Sequence, residues 1–337
     1  MVNIGIVGVG GISDAHLAAY SALTAQADVV ALCDIIPERA QGKAEAVVTN
    51  LGQHAGAQRQ ATAYTDYRAL IADPAVQMVD ICLPTDLHAE VAVAALEGGK
   101  HVLCEKPMAL TVAQCDRMIA AARASGGLLM IAQCIRFWPE YAYVKALAES
   151  GQYGEITSAL FSRLSAPPSW SPDSWYLQAA RSGGAVQDLH VHDVDFLLYL
   201  LGQPQAVSVQ GRQQGERIDF VSVYYDYGDG RIIRVDGGWD FSASFPFRMS
   251  FLIRFAEATL EYDSLHGPLI VYPAAGEAFT PELPKDDAYQ AEIAYFLDCI
   301  VRQQQPTIVT PEDARESVRL VQAEAEALQS GKIIRFS

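Results

Sequence analysis

The chain has 337 residues, with 40 acidic against 24 basic side chains, a formal net charge of −16, and a composition that is 50 % hydrophobic and 19 % charged. That length predicts two domains of about 150 residues each, and the composition excludes both disorder and a disulfide-dependent miniature fold. An acidic surface without a Lys/Arg cluster repels phosphate backbones and anionic lipid, which leaves small molecules and other protein subunits as partners, with no nucleic acid and no membrane.

The opening run from Met1 to Gly8 has no basic segment before its apolar stretch and no small-residue cleavage site, so it does not read as a signal peptide. No apolar run reaches the roughly 20 residues of a membrane helix. Over the first 135 residues, strands are expected at 3–8, 28–33, 61–64, 77–83, 101–104 and 128–133. All but the third are near-continuously apolar, as strands are when helices cover both faces of a parallel sheet. Helical patterns at 11–24, 37–51, 66–72, 87–98 and 112–125 alternate with them, so the fold class is α/β with an N-terminal doubly wound sheet of the Rossmann kind.

Beyond residue 135 the rhythm changes. A helix at 138–150 leads into strands near 156–165, 205–213, 218–227, 231–241, 247–256 and 258–263, several alternating with period two, which predicts a large open, mostly antiparallel sheet. Tyr227-Gly228-Asp229-Gly230 is a hairpin signal, and Ser182-Gly183-Gly184 opens an amphipathic helix to Leu201. Pro167 to Pro172 is expected to be a loop, and helices at 287–303 and 311–329 precede a short apolar end, Ile333 to Phe336. The expected division is 1–125, binding a cofactor, and 126–337, binding substrate and building oligomers, with the C-terminal helices candidates to return to the first domain. Cys33, Cys82, Cys104, Cys115, Cys134 and Cys299 occur singly, as buried thiols of a reducing cytoplasm, and without the paired spacing of a zinc site.

Residues 4–16 read Ile-Gly-Ile-Val-Gly-Val-Gly-Gly-Ile-Ser-Asp-Ala-His. Gly8, Gly10 and the small Ser13 occupy the three positions of a dinucleotide fingerprint: one for the turn, one for backbone approach to a pyrophosphate, one for helix–strand packing. Gly11 and Ile12 then begin a helix whose unpaired N–H groups and dipole suit a diphosphate, so an acidic protein can hold an anionic cofactor locally. Asp34 ends the second strand, where a carboxylate takes ribose hydroxyls and repels a 2′-phosphate. With Ile35-Ile36 following, this favours NAD, and Arg39 leaves NADP open.

Two further segments carry chemistry. Pro84, Thr85 and His88 follow the fourth strand and Glu105-Lys106-Pro107 the fifth, at the carboxyl ends where doubly wound sheets bind ligands. Lys106 alone reads equally well as a solvated lysine, and its bond to Pro107 is a candidate cis peptide. In Gly183 to Asp195, a helix would put Asp188, His192 and Asp195 on one face, as an imidazole base with a carboxylate that orients it, or as an ordinary capping network. His190 points elsewhere, so Asp188, His190 and His192 do not make a metal site, and no metal is expected.

These ordered motifs, with His16, Arg136 to Tyr141 and the ending Ala323 to Gly331, resemble the glucose-fructose oxidoreductase/inositol dehydrogenase (Gfo/Idh/MocA) family over essentially the whole chain. The resemblance implies a Rossmann domain followed by an α/β domain whose open sheet builds homodimers or homotetramers. It implies Lys106, Asp188 and His192 as catalytic residues, and reversible oxidation of a secondary alcohol on a sugar, cyclitol or related polyol. Substrate candidates are Arg136, Trp138, Tyr153, Arg163, Trp175, Tyr176, Arg181 and His190. Two rival readings use the same architecture: an NAD-dependent glycosidase working by transient oxidation, and a catalytically silent NAD-binding regulator.

Overall fold

The computed structural model describes residues 1–45, 61–169, 172–285 and 287–336. The chain divides into two compact units, Met1–Phe137 with Asp286–Arg315, and Trp138–Lys285 with Glu316–Ser337.

The first unit carries strands β1 (Val2–Val7), β2 (Ala27–Cys33), β3 (Thr62–Tyr64), β4 (Met78–Ile81), β5 (His101–Glu105) and β6 (Leu129–Ala132). All neighbours pair in parallel in the order β3-β2-β1-β4-β5-β6, the doubly wound order with its switch beside β1. Its helices are α1 (Gly11–Ala22), α2 (37–45), α3 (Tyr67–Ala72), α4 (Thr85–Glu97) and α5 (Val112–Ser125). Residues 46–51 of the expected second helix lie outside the described residues. Local chemistry sets both ends of α5: Thr111 and Gln114 form a capping box that opens it, and Gly126 closes it in the left-handed conformation. Because β6 pairs with β5, this unit runs past residue 125, and it takes back α9 (Ala288–Arg302). Ile293, Phe296 and Leu297 of that helix lie in one core with Ile4, Ile6, Tyr20 and Leu32.

The second unit holds α6 (Pro139–Ser150), β7 (Ile156–Leu164), the short α7 (Ala179–Ser182), α8 (Val191–Leu201), β8 (Ala206–Gln214), β9 (Arg217–Asp226), β10 (Ile232–Gly238), β11 (Arg248–Phe255), β12 (Ala258–Asp263), β13 (Gly267–Pro273) and β14 (Ile334–Arg335). The last long helix, α10 (Pro311–Ser330), belongs to this unit from Glu316 onward. The eight strands run β13-β12-β11-β7-β10-β9-β8-β14, antiparallel except for β7 with β10. The expected hairpin joins β9 to β10, with Gly228 and Gly230 both at positive φ. Strand β13 was not expected from the sequence. Pro268 and Pro273 argue against a strand, and it is tolerated because β13 lies at the sheet edge.

The helix expected to open at Ser182-Gly183-Gly184 and to run to Leu201 is present from Gly184 onward, with one departure from α geometry. Gly183 and Gly184 both take positive φ where it opens, and an added Cβ on Gly184 would stand 2.9 Å from the Ile218 carbonyl of β9. Its segment Val186–His190 is a π turn, and α8 follows directly. A π turn closes i→i+5 bonds, so the 100° spacing applied to Asp188, His192 and Asp195 is that of α8 and not of the turn that carries Asp188. Of the expected 167–172 loop, Trp170 and Ser171 lie outside the described residues, and a 3-10 segment follows at 172–177.

Candidate active site

At the carboxyl end of β1, Gly8 turns the chain with φ +92°, and a Cβ there would stand 2.5 Å from the Cys82 carbonyl oxygen. No L side chain fits. Gly10 contrasts with it: its φ is −84°, and an added Cβ would meet nothing within 4 Å. It opens α1 without a side-chain cap, leaving the first N–H groups of the helix, at Gly11 and Ile12, facing outward from a half-exposed turn. Ser13 is buried and donates its hydroxyl to the Gly10 carbonyl at 2.6 Å, tightening the turn from within. Open space at the second glycine and uncapped helix donors fit a diphosphate.

Asp34, just beyond β2, accepts the Val9 N–H at 3.1 Å on one oxygen and the Ile36 N–H at 2.9 Å on the other. The acid thus shapes the glycine turn while each oxygen retains a lone pair for a ribose hydroxyl. Ile35, next to Asp34 in sequence, is exposed; Pro84 stands at the N-cap of α4, and Thr85 is buried in its first turn. His88 is also buried, with Nδ1 2.9 Å from the Pro107 carbonyl and Nε2 2.8 Å from the Leu83 carbonyl. Burial lowers its pKa against the pull of those two carbonyls, and it ties the segment after β4 to the one after β5. The Lys106-Pro107 bond is cis, and Lys106 is half-buried.

Beneath the Glu105-Lys106 segment lies a cluster that the sequence reading did not assemble. His16, fully buried on α1, has Nδ1 2.8 Å from Asp80 Oδ2 and Nε2 2.9 Å from Glu105 Oε1. Tyr20 donates to the same Asp80 oxygen at 2.8 Å, and the other Glu105 oxygen accepts the Lys106 backbone N–H at 3.1 Å. Burial alone would depress the His16 pKa, but Asp80 and then Cys82 outweigh it and hold it well above the usual imidazole value. Glu292 of α9 is fully buried, and neither of its carboxyl oxygens has a hydrogen-bond partner among the described residues. Burial, then Glu105, pushes its pKa far above the carboxylate range. One ligand atom each from His16, Asp80 and Cys82 lie within 4.8 Å of one another. Hydrogen bonding accounts for that closeness, since both ring nitrogens face carboxylates and burial pushes the Cys82 thiol up to about 12.

In the second unit, Asp188 sits in the π turn, 8 % exposed, and His192 is half-buried in the first turn of α8. The flanking acids are engaged within the unit. Asp193 receives a two-pronged bond from Arg163, 2.7 Å from Nε and 3.2 Å from Nη2, and Asp195 accepts the Ser317 hydroxyl at 2.9 Å. His190 is fully buried with Nε2 3.1 Å from Glu324 of α10, whose other oxygen accepts the Tyr225 hydroxyl at 2.7 Å.

Three substrate candidates are therefore committed to the protein's own framework. Arg163 and His190 hold the pairs just described, and Arg136 is 4 % exposed and donates to the Ile308 carbonyl at 2.6 Å and to Asp313 at 3.2 Å. Trp138, Tyr153 and Arg181 are half-buried. Trp175 and Tyr176 stack with ring centroids 3.8 Å apart, and Tyr176 meets Trp239 edge-on at 6.4 Å. The groups that sequence reasoning missed, Asp80, Glu292 and Glu324, share one signal: an acid inside an otherwise apolar strand or on the buried stripe of an amphipathic helix.

Residues 2–133 match the family model described as "Oxidoreductase family, NAD-binding Rossmann fold", and residues 141–261 match that of the "GFO/IDH/MocA C-terminal domain". The chain is 34 % identical over 214 residues to a levoglucosan dehydrogenase of Pseudarthrobacter phenanthrenivorans, covering 61 % of this chain and 53 % of that protein. It is 31 % identical over 206 residues to an inositol 2-dehydrogenase of Salmonella paratyphi B, covering 60 % and 55 %. The match thus spans about half the length of these curated relatives. In fold, it superposes on a levoglucosan dehydrogenase in complex with NADH and levoglucosan with a TM-score of 0.85 at 23 % identity, over 99 % of both chains.

Proposed function

The chain belongs to the Gfo/Idh/MocA oxidoreductases, and we propose that it is an NAD-dependent dehydrogenase oxidising a secondary alcohol of a sugar, cyclitol or related polyol. The observation that carries this reading is the glycine turn: open space beside Gly10, uncapped α1 donors, and a carboxylate at Asp34 in a setting unfavourable to a 2′-phosphate. Bound NAD supplies the hydride acceptor at C4 of its nicotinamide. In this reading His192 takes the hydroxyl proton, Asp188 orients His192 or holds a neighbouring hydroxyl, and Lys106 stabilises the alkoxide as charge develops. The curated relatives named above act on an anhydrosugar and a cyclitol, which supports the polyol class. A charge of −16 offers no steering to anionic substrates, which favours neutral polyols over phosphorylated ones.

The test is a panel of sugars, cyclitols, anhydrosugars and sugar acids with NAD and NADP, followed at 340 nm. Net NADH formation with a free polyol supports the dehydrogenase. Release of a sugar substituent without net NADH supports the redox-assisted glycosidase, and NAD binding without turnover on any substrate supports the silent regulator.

The eight-stranded sheet exposes Tyr224, Ile232, Leu252 and Tyr272 on one face, a surface suited to a homodimer or homotetramer, which light scattering resolves. The described residues hold no helix long and apolar enough to cross a membrane, and all six cysteines are buried and unpaired, which supports a cytoplasmic setting.

A further inference from the structure

A neutral imidazole has one N–H to give. His16 faces a carboxyl oxygen on each ring nitrogen, at 2.8 Å and 2.9 Å, in a site closed to water. Both contacts are hydrogen bonds at once when the ring carries two protons, and a single charged donor between two acids is the arrangement in which such bonds are strongest. What the ring holds is not remote from the chemistry. The Glu105 carboxyl is gripped on one oxygen by His16 Nε2 and on the other by the Lys106 backbone N–H, so the path from α1 to Lys106 has two hydrogen bonds and one side chain in it.

We propose that His16 is a positioning residue, an imidazolium that fixes Glu105 and through it the direction of Lys106, joining the helix that seats the dinucleotide to the lysine that meets the substrate. The proposal rests on the assignment of Lys106 to catalysis. The groups facing His16 come from every element around it: Tyr20 on its own helix, Asp80 and Cys82 at β4, Glu105 at the end of β5, and Tyr289 and Glu292 of α9, with the Tyr289 ring 6.0 Å from the imidazole. Asp80 outweighs burial to hold His16 charged, Glu105 faces its second nitrogen, and Glu292, held neutral by its own burial, adds no further negative charge.

The two bonds can be separated by substitution, because an Asn amide nitrogen falls near Nδ1 of a histidine and a Gln amide nitrogen near Nε2. His16→Gln keeps the donor to Glu105 and gives up the one to Asp80, whereas His16→Asn does the reverse, and both remove the same charge. The expected result is a fall in kcat of up to about 10²-fold for His16→Asn with KM for the polyol changed little, and recovery to within a few-fold for His16→Gln. Equal losses in both variants, or the opposite order, overturn the proposal. A second measurement needs no variant that must fold: ¹⁵N-histidine spectra of the wild-type protein at pH 7.5 show both His16 nitrogens protonated, and a neutral tautomer overturns it. A third separates this proposal from the catalytic reading. Among the six lysines, ¹³C-dimethylation resolves Lys106, whose methyl chemical shift at fixed pH moves in His16→Asn and not in His16→Gln, and a shift unmoved in both overturns the positioning role. Full activity in Lys106→Ala overturns the catalytic reading alone, because the Lys106 signal is read in variants that keep the lysine.

Discussion

Glu105 meets His16 side chain to side chain, Oε1 to Nε2 at 2.9 Å across 89 positions of sequence, so the end of β5 and the middle of α1 are held by one buried bond. Around this bond the first unit separates two kinds of residue, those that shape the glycine turn and those left open to a ligand, and the variants below exploit the difference.

Gly8 and Gly10 differ in what a methyl group would meet. Gly8→Ala places a Cβ 2.5 Å from a backbone oxygen at φ +92° and costs about 2 kcal/mol or more, read as a lowered denaturation midpoint. Gly10→Ala fills open space at an ordinary φ. It leaves the melting temperature of the free protein unchanged and weakens NADH binding by about tenfold or more, measured by nucleotide fluorescence, because the methyl group stands where the pyrophosphate approaches the backbone.

Asp34→Ala with Ile35→Arg shifts preference from NAD toward NADP, measured as the ratio of the two kcat/KM values. The aspartate also accepts the Val9 and Ile36 N–H groups, so the same variant melts at lower temperature, by about 1–3 kcal/mol of stability, chiefly for the part-buried Val9 N–H left unmatched, since the Ile36 N–H is exposed to water. Asp34→Asn retains one acceptor oxygen and recovers part of that loss. An unchanged cofactor ratio removes Asp34 from the ribose site.

His192→Asn lowers kcat by about 10²–10⁴-fold, the contribution of a positioned base, with NADH affinity barely changed. Turnover retained in this variant would sink the assignment of the base.

Stability falls with rising pH through two groups of the first unit. Glu292 has a folded pKa above its unfolded value, so the advantage of its buried neutral form is complete below about pH 4.5 and is lost as pH rises through the folded pKa. His16, raised likewise, contributes fully below about pH 6.5 and loses that contribution as pH climbs through its own folded value. Glu292→Gln does not titrate. Its melting temperature gains on the wild type as pH rises from 4.5, at up to about 1.4 kcal/mol per pH unit inside the window. An offset constant from pH 4 to 9 contradicts the burial of a protonated Glu292.

The parallel sheet was legible because its strands are apolar on both faces, and the glycine turn because Gly8, Gly10 and Asp34 keep a fixed relation to strand ends. Strand β13 was hidden by its two prolines, which only an edge position tolerates. The π turn was hidden because Val186 to His190 has the composition of an α-helix. Arg136 and Arg163 have the residue type of substrate contacts, and nothing local distinguishes an arginine that holds a hydroxyl from one that holds Asp313 or Asp193. Glu292 and Glu324 carried a signal, an acid on the buried stripe of an amphipathic helix, which names a residue in need of a partner without naming the partner.

The two units are interleaved along the chain, and this governs the order in which they can be completed. The first half of the sequence supplies β1 to β6, yet the core around Tyr20 and Leu32 waits for Ile293, Phe296, Leu297 and Val309, and Arg136 waits for the Ile308 carbonyl. During synthesis the Rossmann sheet therefore emerges with one flank uncovered and His16 without Glu292 nearby, until nearly the whole of the second unit has left the ribosome. Contacts of such long sequence separation make the closing step slow, and no single cut in the chain separates two self-sufficient pieces.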